Sequence, residues 1–235
     1  MITHLSEWAK RKPQAPFFCV QGDKQSIEYS YRRAHIAAAA LARELERYGM
    51  TANGTLVCTM YNGTELVLLS LAAAYGGYTL ALLNPRLSAD ERQLRLVELE
   101  NATGEHGMDV LTNQMVNRLL IDATGFDATG FGLLPDDAAV LTRLQVELEQ
   151  TVQCYQERFD GDNAGLVMFT SGSSGTPKAA FLTWNSLMGS AAGANEVLRY
   201  EEHGVWQMVL PLCHVGGFQI LVRTLLSGNT FIVYE

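Results

Sequence analysis

The sequence predicts an α/β protein built on a mainly parallel, doubly wound sheet with flanking helices. Short apolar runs typical of buried strands alternate along the chain with longer segments that have helical spacing. A repeated strand–helix–strand order favours parallel strands, because each helix carries the chain back across the sheet. With 48% hydrophobic and 18% charged residues, the 235-residue chain has enough apolar side chains for a sizeable core.

Clear boundaries separate these elements in the first hundred residues. Pro13 ends an opening helix, and Gly22 lies in a turn between two short strands. Ser30 is in position to cap a long helix that ends at Gly49, and Ser88 to cap a later one. The predicted helices cover residues 2–12, 31–48 and 64–75 and begin again at 88, and the predicted strands cover 17–20, 26–29, 55–60 and 78–83.

Residues 66–83 form an uncharged stretch whose length is at the threshold for a transmembrane helix. Two glycines, Gly76 and Gly77, interrupt this stretch near its middle. We interpret it as a buried helix, a turn and a buried strand inside a covered sheet, and we therefore expect no membrane span.

The second half of the chain has a less regular pattern. Residues 109–112 fit a strand, 122–132 an irregular loop and 135–158 one or two polar helices. A turn cluster near residue 160 precedes strands at 164–168, 179–182, 205–210 and 230–234 and helices at 185–198 and 217–226. We expect residues 1–160 to form an N-terminal α/β subdomain and residues 161–235 to begin a second α/β portion.

Composition and charge exclude several classes of protein. A net charge of −8 and a pI near 5.1 disfavour a general nucleic-acid binder, whose surface would be basic. The four cysteines are widely spaced, without the Cys/His spacing of a zinc site, so we predict reduced thiols and no metal site. No signal peptide is recognisable at the start, and the expected location is the cytoplasm.

A small, hydroxyl-rich loop carries the clearest functional signal. After the apolar strand at 164–168 come Thr170, Ser171, Gly172, Ser173, Ser174, Gly175, Thr176, Pro177 and Lys178. Glycines let backbone N–H groups approach an anion, hydroxyls donate hydrogen bonds and the lysine adds positive charge, so the loop favours phosphate binding. A solvated Ser/Gly turn is the alternative, and the spacing of Gly175 and Lys178 does not match a Walker A loop.

The order of these residues closely resembles the phosphate loop of the adenylate-forming enzymes, the acyl- and aryl-CoA ligase superfamily, with Ala179 where glycine is usual. Residues 210–217, which include His214 and Gly216, resemble the segment that borders the acyl pocket in that family. Cys213 stands there in place of the usual aromatic residue. The resemblance extends over nearly the whole chain and is weak between 105 and 160.

This resemblance implies a two-step reaction. A carboxylate attacks the α-phosphorus of Mg-ATP to give an acyl-adenylate and pyrophosphate, and coenzyme A then displaces AMP to give a thioester. Thr170, Ser171, Gly172, Ser173, Ser174, Gly175, Thr176 and Lys178 are the implied nucleotide-binding residues. The Mg²⁺-binding glutamate, the ribose-binding aspartate and the catalytic lysine of the family are expected beyond Glu235, so we expect this chain alone to be inactive.

Within the superfamily, the small-residue helix at 185–198 and the segment 210–235 most resemble the o-succinylbenzoate–CoA ligase group of menaquinone biosynthesis. Substrate-binding residues would be His214, Gly216 and Arg223, since a guanidinium pairs well with a substrate's free carboxylate. A surface or interface arginine is the alternative for Arg223. Three alternatives for the function remain open: another acyl, aryl or amino acid substrate, a non-catalytic nucleotide-binding remnant, and a different phosphate-using enzyme. The oligomeric state is also open between a monomer and a homo-oligomer.

Overall fold

The computed structural model describes residues 1–22, 26–106, 108–124, 138–171, 177–198 and 204–234. Eight helices and nine strands alternate in these ranges. The helices are α1 Ile2–Arg11, α2 Tyr31–Arg47, α3 Thr64–Gly76, α4 Ala89–Thr103, α5 Asn113–Thr124, α6 Ala138–Arg158, α7 Trp184–Leu198 and α8 Val215–Ser227. The strands are β1 Pro16–Gln21, β2 Ser26–Ser30, β3 Thr55–Thr59, β4 Thr79–Leu83, β5 Val110–Leu111, β6 Ala164–Ser171, β7 Pro177–Thr183, β8 Val205–Met208 and β9 Thr230–Tyr234.

The strands form two sheets, where the sequence predicts one. The first has the order β2-β1-β9-β8 and the second the order β5-β3-β4-β6-β7. Most neighbours are parallel, which confirms the predicted class, and the antiparallel pairs are β1–β2 and β6–β7. The number of sheets is set by pairings between distant segments, and periodicity along the chain does not report them.

Both sheets combine strands from the two halves of the chain. In the first sheet Phe18 of β1 is opposite Phe231 of β9, and in the second Leu80 of β4 is opposite Leu166 of β6. Both sheets therefore extend across the expected boundary at residue 160. The division of the chain into residues 1–160 and 161–235 stays a proposal.

The helix α3 is buried on every side, as the sequence predicts for residues 66–83. All thirteen of its residues and all five of β4 are buried, with a turn at Gly77 between them, where φ is 70°. The alanine-rich middle of α2 packs against α3, because its small side chains allow close approach. No helix in the part of the chain described here is long and apolar enough to cross a bilayer.

The predicted caps are present. The Ser30 hydroxyl accepts a hydrogen bond from the Arg33 N–H at 3.2 Å, and Ser88 forms a reciprocal capping box with Glu91. The helix α5 was not expected from the sequence, and it includes the first residues of the loop predicted at 122–132. Residues 125–132 of that loop lie outside the described residues. The polar segment after it forms one helix, α6.

Candidate functional site

The carboxyl ends of parallel strands from both sheets border a cavity of about 700 Å³. Residues 60–62 and 84–86 line it directly after β3 and β4, and residues 208, 209, 211 and 214 line it at and beyond the end of β8. Asn113 at the start of α5 and Tyr234 at the end of β9 complete the described wall. Ligands of open α/β sheets bind outside this edge, where loops and helix N-termini converge.

The side-chain amide of Asn62 holds together two loops of this cavity. Its Oδ1 accepts a hydrogen bond from the Leu212 N–H at 2.9 Å, and its Nδ2 donates to the Leu210 carbonyl at 3.2 Å. Both ends of one amide are therefore engaged by the segment that precedes α8. The loop after β3 and the loop after β8 are fixed relative to each other by this contact.

His214 stands at the entrance of α8, where its side chain is exposed and lines the cavity. Its carbonyl accepts hydrogen bonds from the Gly217 and Phe218 N–H groups, both at 3.0 Å, which starts the helix. A Cβ on Gly217 would lie 2.2 Å from the Pro211 carbonyl oxygen, so this turn requires glycine. At Gly216 the nearest atom to such a Cβ is Leu210 Cδ1, at 3.0 Å.

The hydroxyl-rich loop joins β6 to β7, and residues 172–176 lie outside the described residues. Its flanking strands are paired in register, with Thr170 opposite Lys178 and Ser171 opposite Pro177. Directly opposed residues of antiparallel strands place their side chains on the same face, about 5 Å apart at Cβ. Thr170 and Lys178, both exposed, therefore stand side by side at the mouth of the loop.

The hairpin is adjacent to the cavity wall. The strand β6 pairs in parallel with β4, so both strands point their carboxyl ends to the same edge. The loop after β4, which contains Asn84 and Arg86, lines the cavity. Neighbouring strands are about 5 Å apart, so the mouth of the hydroxyl-rich loop and the cavity share this edge.

Of the predicted site residues that the structure describes, His214 lines this cavity, whereas Thr170, Lys178, Gly216 and Arg223 are not among its described lining residues. Arg223 is on α8. It lies nine residues beyond His214, which corresponds to about 13 Å of rise along α8. Its carbonyl accepts a hydrogen bond from Asn195 of α7 at 3.2 Å. The Nε of Arg223 is buried and has no hydrogen-bond partner among the described residues.

The side chain of Cys213 belongs to the core and is not among the described residues that line the cavity. Its side chain is buried in the same hydrophobic cluster as Cys58. Burial raises the pKa of Cys213, and a backbone hydrogen bond and the nearby Arg86 guanidinium oppose this rise. Burial also raises the pKa of the Cys58 thiol, so both cysteines are protonated at neutral pH.

Charge in the cavity favours an acidic ligand. Among its described lining residues Arg86 is positively charged, and there is no aspartate or glutamate. The Arg86 side chain is exposed, and its backbone N–H donates to the Asn84 side chain at 2.9 Å, which fixes the turn after β4. Within the described ranges, no three His, Cys, Asp or Glu side chains are grouped closely enough to hold a metal ion.

Sequence reasoning left several lining residues unassigned. Asn62, Arg86 and Tyr234 line the cavity but were not predicted as site residues. Each one stands at or just beyond the carboxyl end of a predicted strand. A search for polar side chains at these positions would have found them, because parallel strands bring their carboxyl ends together.

Comparison with known proteins identifies relatives of this chain. Residues 5–235 match the family model of AMP-binding enzymes. The 2-succinylbenzoate–CoA ligase of Staphylococcus aureus (strain JH9) is 26% identical over 213 residues, which cover 88% of this chain and 43% of the relative. The chain therefore spans less than half the length of this curated relative.

Solved structures share the fold. The O-succinylbenzoate coenzyme A synthetase (MenE) from Bacillus subtilis, in complex with ATP and magnesium ion, matches with a TM-score of 0.71 at 20% identity. The match covers 98% of this chain and 56% of that chain. VinN in complex with 3-methylaspartate matches with a TM-score of 0.70 at 15% identity, over 99% of this chain and 61% of that chain. The two sheets and their helices are those of the N-terminal part of this fold.

Proposed function

Because the chain belongs to the AMP-binding enzyme family, we propose that it is the N-terminal portion of an AMP-forming acid–CoA ligase. The proposed reaction has two steps. A substrate carboxylate attacks the α-phosphorus of ATP and releases pyrophosphate, and the thiol of coenzyme A then displaces AMP from the acyl-adenylate. The products are a thioester, AMP and pyrophosphate.

The placement of the hydroxyl-rich hairpin carries this proposal. Thr170 and Lys178 are opposite each other in the hairpin of β6 and β7, and β6 pairs with β4, whose following loop lines the cavity. A hydroxyl and an ammonium group at the mouth of a glycine-containing loop suit the β- and γ-phosphates of ATP, which become the leaving group. Ser171, Gly172, Ser173, Ser174, Gly175 and Thr176 are proposed to complete the phosphate contacts.

The charge of Lys178 has a specific role in this scheme. Negative charge grows on the departing pyrophosphate as the bond to the α-phosphorus breaks. A lysine held at the loop's exit stabilises that charge more in the transition state than in bound ATP, so it accelerates the step. Mg²⁺ would neutralise further charge on the phosphates, and its carboxylate ligand is proposed to come from a segment beyond Glu235.

The proposed acid is o-succinylbenzoate, and the similarity to 2-succinylbenzoate–CoA ligases supports this choice. Arg223 is the proposed partner for the carboxylate that does not react, since its buried Nε has no protein partner in the described ranges. His214 and Gly216 are proposed to border the acyl group. VinN shares the fold and binds an amino acid, so another acid is the nearest alternative.

The cellular setting follows from the substrates. ATP and coenzyme A are cytosolic metabolites, so we propose a cytoplasmic enzyme with small-molecule substrates. The catalytic lysine, like the adenine and ribose contacts, is proposed to come from a segment of the full gene product beyond Glu235. The chain alone would then bind nucleotide weakly without turnover.

A panel of acids tests the substrate. Pyrophosphate release by the full gene product should be fastest with o-succinylbenzoate, and Arg223→Met should raise its KM about tenfold or more while leaving KM for benzoate unchanged. Arg118→Met, which removes an exposed arginine on α5, is the control. Equal rates with all acids, or an equal effect of Arg223→Met on benzoate, would refute this assignment.

A further inference from the structure

A second cavity, of about 530 Å³, lies between α1, α2 and α6. It shares no described lining residue with the cavity at the strand ends. Its walls combine polar groups from all three helices with apolar side chains from α2 and α6. The proposed ligase chemistry uses none of these residues, and a volume of this size is typical of sites for small organic molecules.

The imidazole of His35 forms the polar base of this second cavity. His35 is only 7% exposed, and its Nδ1 lies 2.5 Å from the Tyr75 hydroxyl. The Tyr75 hydroxyl is buried and has no other partner in the described ranges, so it donates to Nδ1. The imidazole hydrogen is then on Nε2, which has no protein partner in those ranges, and the ring lines the cavity.

The helix α1 adds two more donors to the same cavity. Ser6 and Lys10 are four residues apart and therefore share one face of the helix. Both side chains line the cavity, and neither has a hydrogen bond or ion pair within the described part of the chain. The Lys10 ammonium is close enough to lower the pKa of His35, which burial brings to about 4, so the imidazole is neutral at pH 7.

The remaining walls are mixed, since α6 contributes the polar side chains Thr142, Gln145, Gln153 and Gln156 as well as apolar ones. Ile36 and Ala39 of α2 and Leu148 and Val152 of α6 contribute apolar surface. Glu149 of α6 also lines the cavity, and water screens its exposed carboxylate as it does the exposed Lys10 ammonium. His35, Ser6 and Lys10 thus stand as hydrogen-bond donors beside an apolar patch.

We propose that this cavity binds a small carboxylic acid with an apolar body, separate from the acid that the enzyme activates. The carboxylate accepts hydrogen bonds from His35 Nε2 and the Ser6 hydroxyl and pairs with the Lys10 ammonium. The apolar body packs on Ile36, Ala39, Leu148 and Val152. Inorganic phosphate would satisfy the donors but leave this apolar surface in water, so it should bind more weakly.

Benzoate is the probe for this site, with benzyl alcohol as its uncharged counterpart and inorganic phosphate as the anion without an apolar body. The 235-residue chain is labelled with ¹³C-histidine, and the imidazole signal of His35 is assigned by its absence in His35→Gln. Benzoate should shift this signal saturably and bind about tenfold more tightly than either control compound. The His214 signal reports separately on the cavity at the strand ends.

Two substitutions that each remove one positive charge test the role of Lys10. Lys10→Gln should weaken benzoate binding at His35 about fivefold, because it removes a partly screened ion pair. Arg143→Gln removes an exposed charge from α6, outside the cavity, and should change binding less than about twofold. The proposal would be overturned if benzoate left the His35 signal unmoved or shifted the His214 signal alone. It would also be overturned if the two substitutions had equal effects, or if phosphate bound as tightly as benzoate.

Discussion

Asn62 is joined to Leu212 across 150 residues of sequence by a hydrogen bond of 2.9 Å from the Leu212 N–H to the amide oxygen. The same amide donates to the Leu210 carbonyl. Asn62 precedes α3 and Leu212 precedes α8, so this one side chain fixes the loops that end a strand of each sheet. The shape of the cavity between the sheets depends on it.

Replacing Asn62 with alanine should therefore weaken both folding and activity. Asn62→Ala removes two hydrogen bonds, and we expect the free energy of unfolding to fall by about 2 kcal/mol. Urea denaturation of the 235-residue chain measures this loss. Gln21→Ala is the control, because it removes one exposed side-chain hydrogen bond and should cost less than about 0.5 kcal/mol. Equal losses for the two variants would show that the contact has no structural role.

Gly217 should not tolerate even a methyl group. In Gly217→Ala the new Cβ would meet the Pro211 carbonyl oxygen at 2.2 Å, and backbone cannot move aside as a side chain can. We expect a loss of about 3 kcal/mol in thermal or urea unfolding. Gly189→Ala is the matched control on α7, where nothing lies within 4 Å of the added Cβ. That control should be neutral or slightly stabilising, and a stable Gly217→Ala variant would contradict the described turn.

Lys178 should matter for catalysis and little for stability, because its side chain is exposed. Lys178→Ala in the full gene product should lower the rate of pyrophosphate release about 100-fold. Lys178→Arg keeps the charge and should recover part of this loss. If Lys178→Ala retained the wild-type rate, or lost activity only because it unfolds, the role proposed for this lysine would be wrong.

Stability should depend on pH through His35. Burial lowers the pKa of His35 in the folded chain to about 4, below its value of 6.5 in the unfolded chain. The unfolded state therefore binds a proton between pH 6.5 and 4 that the folded state does not, and the free energy of unfolding falls as the pH falls through this window. The loss from this group is at most about 3 kcal/mol.

His35→Gln should flatten that pH dependence relative to the parent chain. Urea denaturation at a series of pH values between 4 and 7 measures both slopes. If the His35→Gln slope equalled that of the parent chain, other groups would account for the acid sensitivity.

Local signals in the sequence predict much of the fold. The caps at Ser30 and Ser88 depend on contacts within three residues, and both are present in the structure. The helix α5 was missed although its signals are local: Val116, Leu119, Leu120 and Ala123 form an apolar stripe with helical spacing, and the Thr112 hydroxyl accepts from the Met115 N–H. The second sheet was missed because β1 and β9 are paired across about 200 residues, and no local pattern reports such a partner.

For the candidate site too, sequence reasoning predicted some residues and missed others. The hydroxyl-rich loop was found from residue order alone, and the structure adds that Thr170 and Lys178 face each other. Asn62 and Arg86 were missed, because a polar residue after one strand acquires meaning only when the other strand ends are placed beside it. The role of Arg223 stays a prediction, because the structure describes its place on α8 and its Nε, unpartnered within the described ranges, but no contact with a substrate.

ATP–pyrophosphate exchange tests the central claim most directly, because it isolates formation of the acyl-adenylate and needs no coenzyme A. The full gene product is incubated with ATP, Mg²⁺ and labelled pyrophosphate, with and without o-succinylbenzoate. We expect label to enter ATP only when the acid is present, and none with the 235-residue chain alone. No exchange by the full product with any carboxylic acid would contradict the proposed ligase, and exchange by the chain alone would show that residues 1–235 already hold a complete site.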